Sequence, residues 1–100
     1  MQQPYLTYLL TNAERDAFYA GVSRDLEFAV MAHKQGFADN FTKTHDIFQL
    51  VWWRPHNSLI SALRDKGKIN SMSLRRITGL IERDNPELQE LSPRPADQVA

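Results

Sequence analysis

Residues 5–34, YLTYLLTNAERDAFYAGVSRDLEFAVMAHK, hold the feature that most restricts the fold: two short strands joined by a polar turn, followed at once by a helix. Tyr5, Tyr8, Leu9 and Leu10 with Thr7 and Thr11 have the β-branched and aromatic character of a strand. Its end is too apolar for clean alternation, so it is expected at the centre of a sheet with both faces covered. Asn12 to Asp16 offers side chains that bond their own backbone in turns, and Ala17 to Val22 makes the return strand. Ser23 or Asp25 is placed to cap the helix, Lys34 falls in its last turn, and Gly36 stands where a left-handed residue ends it.

Within that first helix Leu26, Ala29, Val30 and His33 recur at helical spacing and form one face. Phe28, Met31 and Ala32 make the opposite face apolar as well. A surface helix normally carries a polar stripe there, so this face is either covered or an exposed patch for a partner, with Phe28 and Met31 at its centre. Residues 37–46 read as a loop. Ile47 to Trp53 is the strongest strand by composition and is expected to stop before Arg54-Pro55. A second helix is expected from a cap at Asn57 to about Lys66, with Leu59, Ile60 and Leu63 inward and Gly67 ending it. Ser73 caps a third, in which Leu74, Ile77 and Ile81 share a face and Met72 and Ile77 form a hydrophobic staple. Asn85-Pro86 breaks it, one further turn follows from Pro86, and Ser92 opens a mobile tail. The expected class is α+β, a small three-stranded antiparallel sheet flanked by helices in the order β-β-α-β-α-α. Residues 1–91 make one domain and 92–100 the tail.

The chain has 100 residues, 42% of them hydrophobic, which suits one globular domain. It has no apolar run of the roughly 20 residues that a membrane span needs, and MQQPYLTY does not have the pattern of a signal peptide. No membrane partner is expected. The absence of cysteine excludes disulfides, thiolate zinc sites and cysteine nucleophiles, and fits a cytoplasmic setting. Net charge is zero but unevenly spread. From Lys34 to Arg83 there are nine basic side chains and four acidic ones, and Lys43, Lys66, Lys68, Arg75 and Arg76 offer a path for a phosphate backbone.

The residues alone supply few sites for chemistry. There is no Gly-rich phosphate loop and no His-x-x-x-His pair, and sequence order assembles no Ser-His-Asp set. His33, His45 and His56 each stand alone. Tyr8 and Tyr19 would ordinarily be half-buried sheet aromatics whose hydroxyls find a partner.

Their spacing adds something more specific. Tyr8, then Tyr19-Ala20-Gly21 eleven residues later on the second strand, then a helix ending in Ala32-His33-Lys34, resembles the GIY-YIG nuclease superfamily. The likeness is closest to its small stand-alone, single-domain bacterial group. It extends through GVSRDLE (21–27), NFTK (40–43), LVWW (50–53) and LIERDNPE (80–87), covering residues 5 to about 90. The resemblance implies hydrolysis of a phosphodiester with one divalent cation. A sheet tyrosine helps to activate water, an arginine on the first helix stabilises the developing charge, and a glutamate on a later helix binds the metal. Tyr8, Tyr19 and His33 match the motif, and Gly21 matches its glycine. The arginine position is Ala29 and the glutamate position is Lys66. A protonated lysine has no lone pair for a cation and repels one.

The resemblance with those two replacements implies a nuclease-like domain, inactive or impaired, that retains backbone binding to DNA and needs no cofactor. Two alternatives stay open. One is a protein-interaction or dimerisation module built on Phe28 and Met31. The other is an active endonuclease with relocated residues, which would need Mg²⁺ or Mn²⁺.

Overall fold

The computed structural model describes residues 3–94. The elements are β1 (Tyr5–Thr11), β2 (Phe18–Ser23), α1 (Leu26–Lys34), α2 (Asn40–Thr44), β3 (Gln49–His56), α3 (Leu59–Asn70) and α4 (Leu74–Glu82). The strands form one antiparallel sheet in the order β2-β1-β3. The chain is therefore α+β with the expected element order, plus the short α2 between α1 and β3. No helix among the described residues is long and apolar enough to cross a membrane.

β1 is central, as its two-sided apolar character requires, and its alternating residues feed two separate cores. Leu6, Tyr8 and Leu10 face α1 and pack with Leu26, Val30, Ile47 and Leu50. Leu9 faces the other way and packs with Ile69 of α3 and Ile77 and Ile81 of α4. Thr7 points to that second layer too, and its hydroxyl donates to the Ala62 carbonyl of α3 at 3.0 Å. The two helix layers thus lie on opposite faces of the sheet.

Local chemistry sets the element ends. Asp25 caps α1 by accepting from the Phe28 N–H, while Ser23 bonds the Asp25 backbone. The helix closes on Gly36 at φ 78°, where Gly36 N–H donates to His33 O and Phe37 N–H to Ala32 O. That pair of hydrogen bonds is the glycine-terminated helix stop expected there. Between Leu9 and Leu10 the pairing with β3 shifts by one residue, leaving Val51 as the extra residue of a bulge. The buried Asn85 amide donates to the Val51 carbonyl at 3.0 Å and bonds the Gln89 backbone in both directions. It fastens the end of α4 to the sheet.

Several sequence expectations are corrected. Residues 37–46 are not all loop, because Asp39 caps the helical turns of α2. β3 runs on through Arg54 and Pro55 to His56. It is an edge strand, where a missing proline N–H need not break a ladder bond. The α3 cap is Ser58, not Asn57, and the helix passes Gly67 to reach Asn70. Its inward residues are Ala62, Asp65 and Ile69. Leu59, Ile60 and Leu63, expected inside, are exposed, and so is Leu74 of α4. Pro86 begins a single turn closed by Leu88 N–H on Asn85 O, with no helix after it among the described residues. Of the expected tail, residues 92–94 are described, and Arg94 pairs with Glu27 at 3.0 Å. Residues 95–100 of that expectation lie outside the described residues.

Asn85→Ala removes a side chain that bridges the bulge to the segment after α4. It is expected to cost about 1–3 kcal/mol, the penalty for stranding a buried backbone group. Urea unfolding measures this, and an unchanged midpoint would show that the bulge carbonyl finds another partner.

Candidate functional site

Tyr8, Tyr19 and His33 come together on the α1 face of the sheet. The Tyr19 ring centroid lies 4.9 Å from that of His33, and the two tyrosine rings are 6.5 Å apart. Gly21 makes the arrangement possible. It is the cross-strand partner of Tyr8, and the phenol ring lies directly over its backbone. A Cβ there would run into Cζ and the hydroxyl of Tyr8 and stand 2.8 Å from Cε2.

A chain of hydrogen bonds fixes the histidine. Its Nδ1 lies 2.9 Å from the Thr42 hydroxyl, which itself donates to the Asp39 carbonyl at 3.1 Å. Thr42 therefore accepts from Nδ1–H, and Nε2 is left bare to accept from the Tyr8 hydroxyl at 3.2 Å. Burial lowers the His33 pKa, against a smaller opposing pull from Asp39. Burial raises Tyr8 strongly, with Tyr19 and Asp39 adding to it, and raises Tyr19, with Asp39 again contributing. At neutral pH the trio is uncharged. Tyr8 is 4% exposed and its proton points at His33, so it cannot act as a phenolate base. Tyr19 is half-buried and its hydroxyl makes no hydrogen bond among the described residues.

Ala29, the position where the resemblance places an arginine, stands one helical turn before His33 and packs against the cluster that holds Tyr8. It brings only a methyl group. Lys66 sits on α3, in the helix layer behind the sheet, and makes no hydrogen bond or ion pair among the described residues. Asp65 beside it is no substitute metal ligand for this site, because Arg54 and His56 hold both its oxygens. Among the described residues no three His, Asp or Glu side chains gather where they would hold a metal ion. The divalent cation implied by the resemblance does not fit these residues.

The other sequence candidates separate by layer. Lys43 is exposed on α2, in the tyrosine layer, with its aliphatic stem against Gly36. Lys66, Lys68, Arg75 and Arg76 belong to α3 and α4. Phe28 and Met31 are 68% and 49% exposed, so nothing among the described residues covers that face of α1. A cavity of about 650 Å³ lies at the start of α1, lined in part by Leu6, Arg24, Leu26, Trp53 and Arg94. It includes none of the trio.

Sequence reasoning missed Thr42 and Asp39, which fix the His33 tautomer and reach it only through the fold. It also missed a second polar cluster. His56 at the end of β3 lies 2.8 Å from the Ser61 hydroxyl through Nδ1 and 2.8 Å from Asp65 through Nε2. The spacing of Ser61 and Asp65, one helical turn apart, was the available signal.

Gly21→Ala is expected to destabilise the domain by forcing Tyr8 off β2. Gly67→Ala and Gly79→Ala, in helices with open space around them, should instead stabilise it by about 0.5–1 kcal/mol. Thermal melts compare the three. The pKa directions set a second expectation. The unfolded chain takes up a proton at His33 as pH falls below about 6.5, while the folded protein resists. Stability is thus full above that pH and lost below it, and the raised tyrosines take stability away above about pH 10. Urea unfolding across pH, with His33→Gln as comparison, checks the acid limb, which should flatten in the variant.

Compared with models of known families, with curated proteins and with solved structures, the chain matches none.

Proposed function

We propose that this chain is a GIY-YIG-like domain that has lost nuclease chemistry and binds a phosphodiester backbone without cutting it. The observation that supports this most is the assembly of Tyr8, Tyr19 and His33 over Gly21, with Ala29 beside them where a cation would be needed. Catalysis of this kind rests on preplaced charge at the developing anion, and loss of one such donor typically costs about 10²- to 10³-fold in rate. A lysine in place of the metal-binding glutamate removes the second requirement.

Binding has a different physical basis. From Arg54 to Arg83 the chain carries seven basic side chains (Arg54, Arg64, Lys66, Lys68, Arg75, Arg76, Arg83) and two acidic ones (Asp65, Glu82). α3 and α4, which carry most of them, lie together on one face of the sheet. From Arg24 to Phe48, the α1–α2 layer, three basic side chains stand against four acidic. The α3–α4 face is the one suited to a polyanion, with Lys66, Lys68, Arg75 and Arg76 as its contacts. Lys43 stands apart from it.

Fluorescence anisotropy with duplex and single-stranded DNA tests this reading. With about four phosphate contacts, affinity should fall about 10²-fold between roughly 50 and 200 mM salt, and Lys66→Glu should weaken it further. Binding indifferent to salt would remove the proposal. Incubation with Mg²⁺ or Mn²⁺ should leave DNA intact. Cleavage abolished by Tyr19→Phe would instead establish the active alternative with relocated residues.

A second reading rests on the exposure of Phe28 and Met31. A charged face turned apolar suits self-association or a partner helix. Under that reading Phe28→Glu yields a folded protein of lower association state by sedimentation. A parent chain that is already monomeric at high concentration argues against it.

A further inference from the structure

The cluster at the end of β3 has the connectivity of a nucleophilic relay, and it lies apart from the tyrosine site. Asp65 is 8% exposed and held by Arg54 at 3.3 Å. As a carboxylate it only accepts, so the His56 Nε2 at 2.8 Å carries a hydrogen and donates it. In the neutral ring Nδ1 is then bare, and at 2.8 Å it accepts the Ser61 hydroxyl proton. The tautomer that Asp65 imposes is the one that aims a general base at a serine. The two ring nitrogens exchange the places they usually hold in such triads, but proton transfer needs only a lone pair facing the hydroxyl.

Ser61 is well placed to use that base. It is partly exposed in the first turn of α3, where its own N–H is taken by the Ser58 cap. Ile60, the residue before it, is 64% exposed. The clamp between strand and helix explains why Asp65 has partners. It does not require Ser61, since Arg54 and His56 already satisfy both carboxylate oxygens.

We propose that Ser61, His56 and Asp65 form a second, hydrolytic site that acts on carboxylic esters. Ser61 Oγ adds to the ester carbonyl carbon while its proton passes to His56 Nδ1. The carbon–oxygen bond to the alcohol breaks, and that proton leaves with the alcohol. Water then attacks the acyl-serine, gives its proton to His56, and releases the carboxylic acid with Ser61 restored. Asp65 is a positioning residue that holds the ring and its tautomer.

The test uses the full chain and a fluorophosphonate probe, with the modified residue located by peptide mass spectrometry. Ser58 and Ser71, at the two ends of the same helix, have no histidine partner and serve as internal controls. General-base activation is worth about 10²-fold or more, so Ser61 should label at least that much faster than either. Labelling should disappear in His56→Gln, and p-nitrophenyl acetate hydrolysis should fall in Ser61→Ala, which removes one oxygen and leaves the clamp in place. Circular dichroism of both variants shows that the fold persists. Labelling that is absent, spread evenly over the three serines, or independent of His56 overturns the proposal. DNA binding is read separately, so either result leaves the backbone-binding reading to its own test.

Discussion

β1 lies between β2 and β3 with Leu9 and Leu10 both fully buried, and the rest of the molecule follows from covering its two faces. Because successive side chains alternate, Leu6, Tyr8 and Leu10 are committed to one helix layer and Thr7, Leu9 and Thr11 to the other. A slip of one residue would turn Tyr8 toward α3 and strand two threonine hydroxyls against α1. Both hydroxyls instead find carbonyls, Thr7 on Ala62 and Thr11 on Ala17. The register also sets Tyr8 opposite Gly21, and the ring occupies the space that any side chain there would need.

The same division separates the two kinds of chemistry. On the α1 side the polar groups form a closed chain from Tyr8 through His33 and Thr42 to the Asp39 backbone carbonyl. Burial favours the uncharged forms of Tyr8 and His33. On the other side lies the excess of basic residues. Exposed charges fade beyond a Debye length of about 8 Å at physiological salt, and the sheet stands between the layers. Basic residues behind it therefore add little charge at Tyr8, Tyr19 and His33.

Much of this was legible in the sequence, and the failures have causes. The central strand, the Ser73 cap and the Gly36 stop are local chemistry and could be read directly, while the cap of α1 was narrowed to Ser23 or Asp25 and is Asp25. The gathering of Tyr8, Tyr19 and His33 was an implication of the family resemblance that their order carries. The inward face of α3 was misread because periodicity counts apolar residues. Leu59, Ile60 and Leu63 looked like core, while the buried Asp65 is tolerated only through Arg54 and His56 from another element. Gly67 looked like a stop, yet in a helix it costs only about 1 kcal/mol. The tertiary packing of Ile69 outweighs that and carries the helix on to Asn70.

Asp65 shows how a structural need can leave chemistry behind it. A carboxylate buried between strand and helix must be paired, and unpaired it would cost several kcal/mol. Arg54 stacks on Trp52 with its charge 4.8 Å from the ring centroid, which holds the guanidinium near one oxygen. His56 supplies the other bond and in doing so fixes its own hydrogen on Nε2. The opposite nitrogen is then obliged to accept, and the helical turn that carries Asp65 brings Ser61 round to it. A residue kept for pairing a buried charge thus becomes a base facing a hydroxyl, with no further side chain needed to orient it.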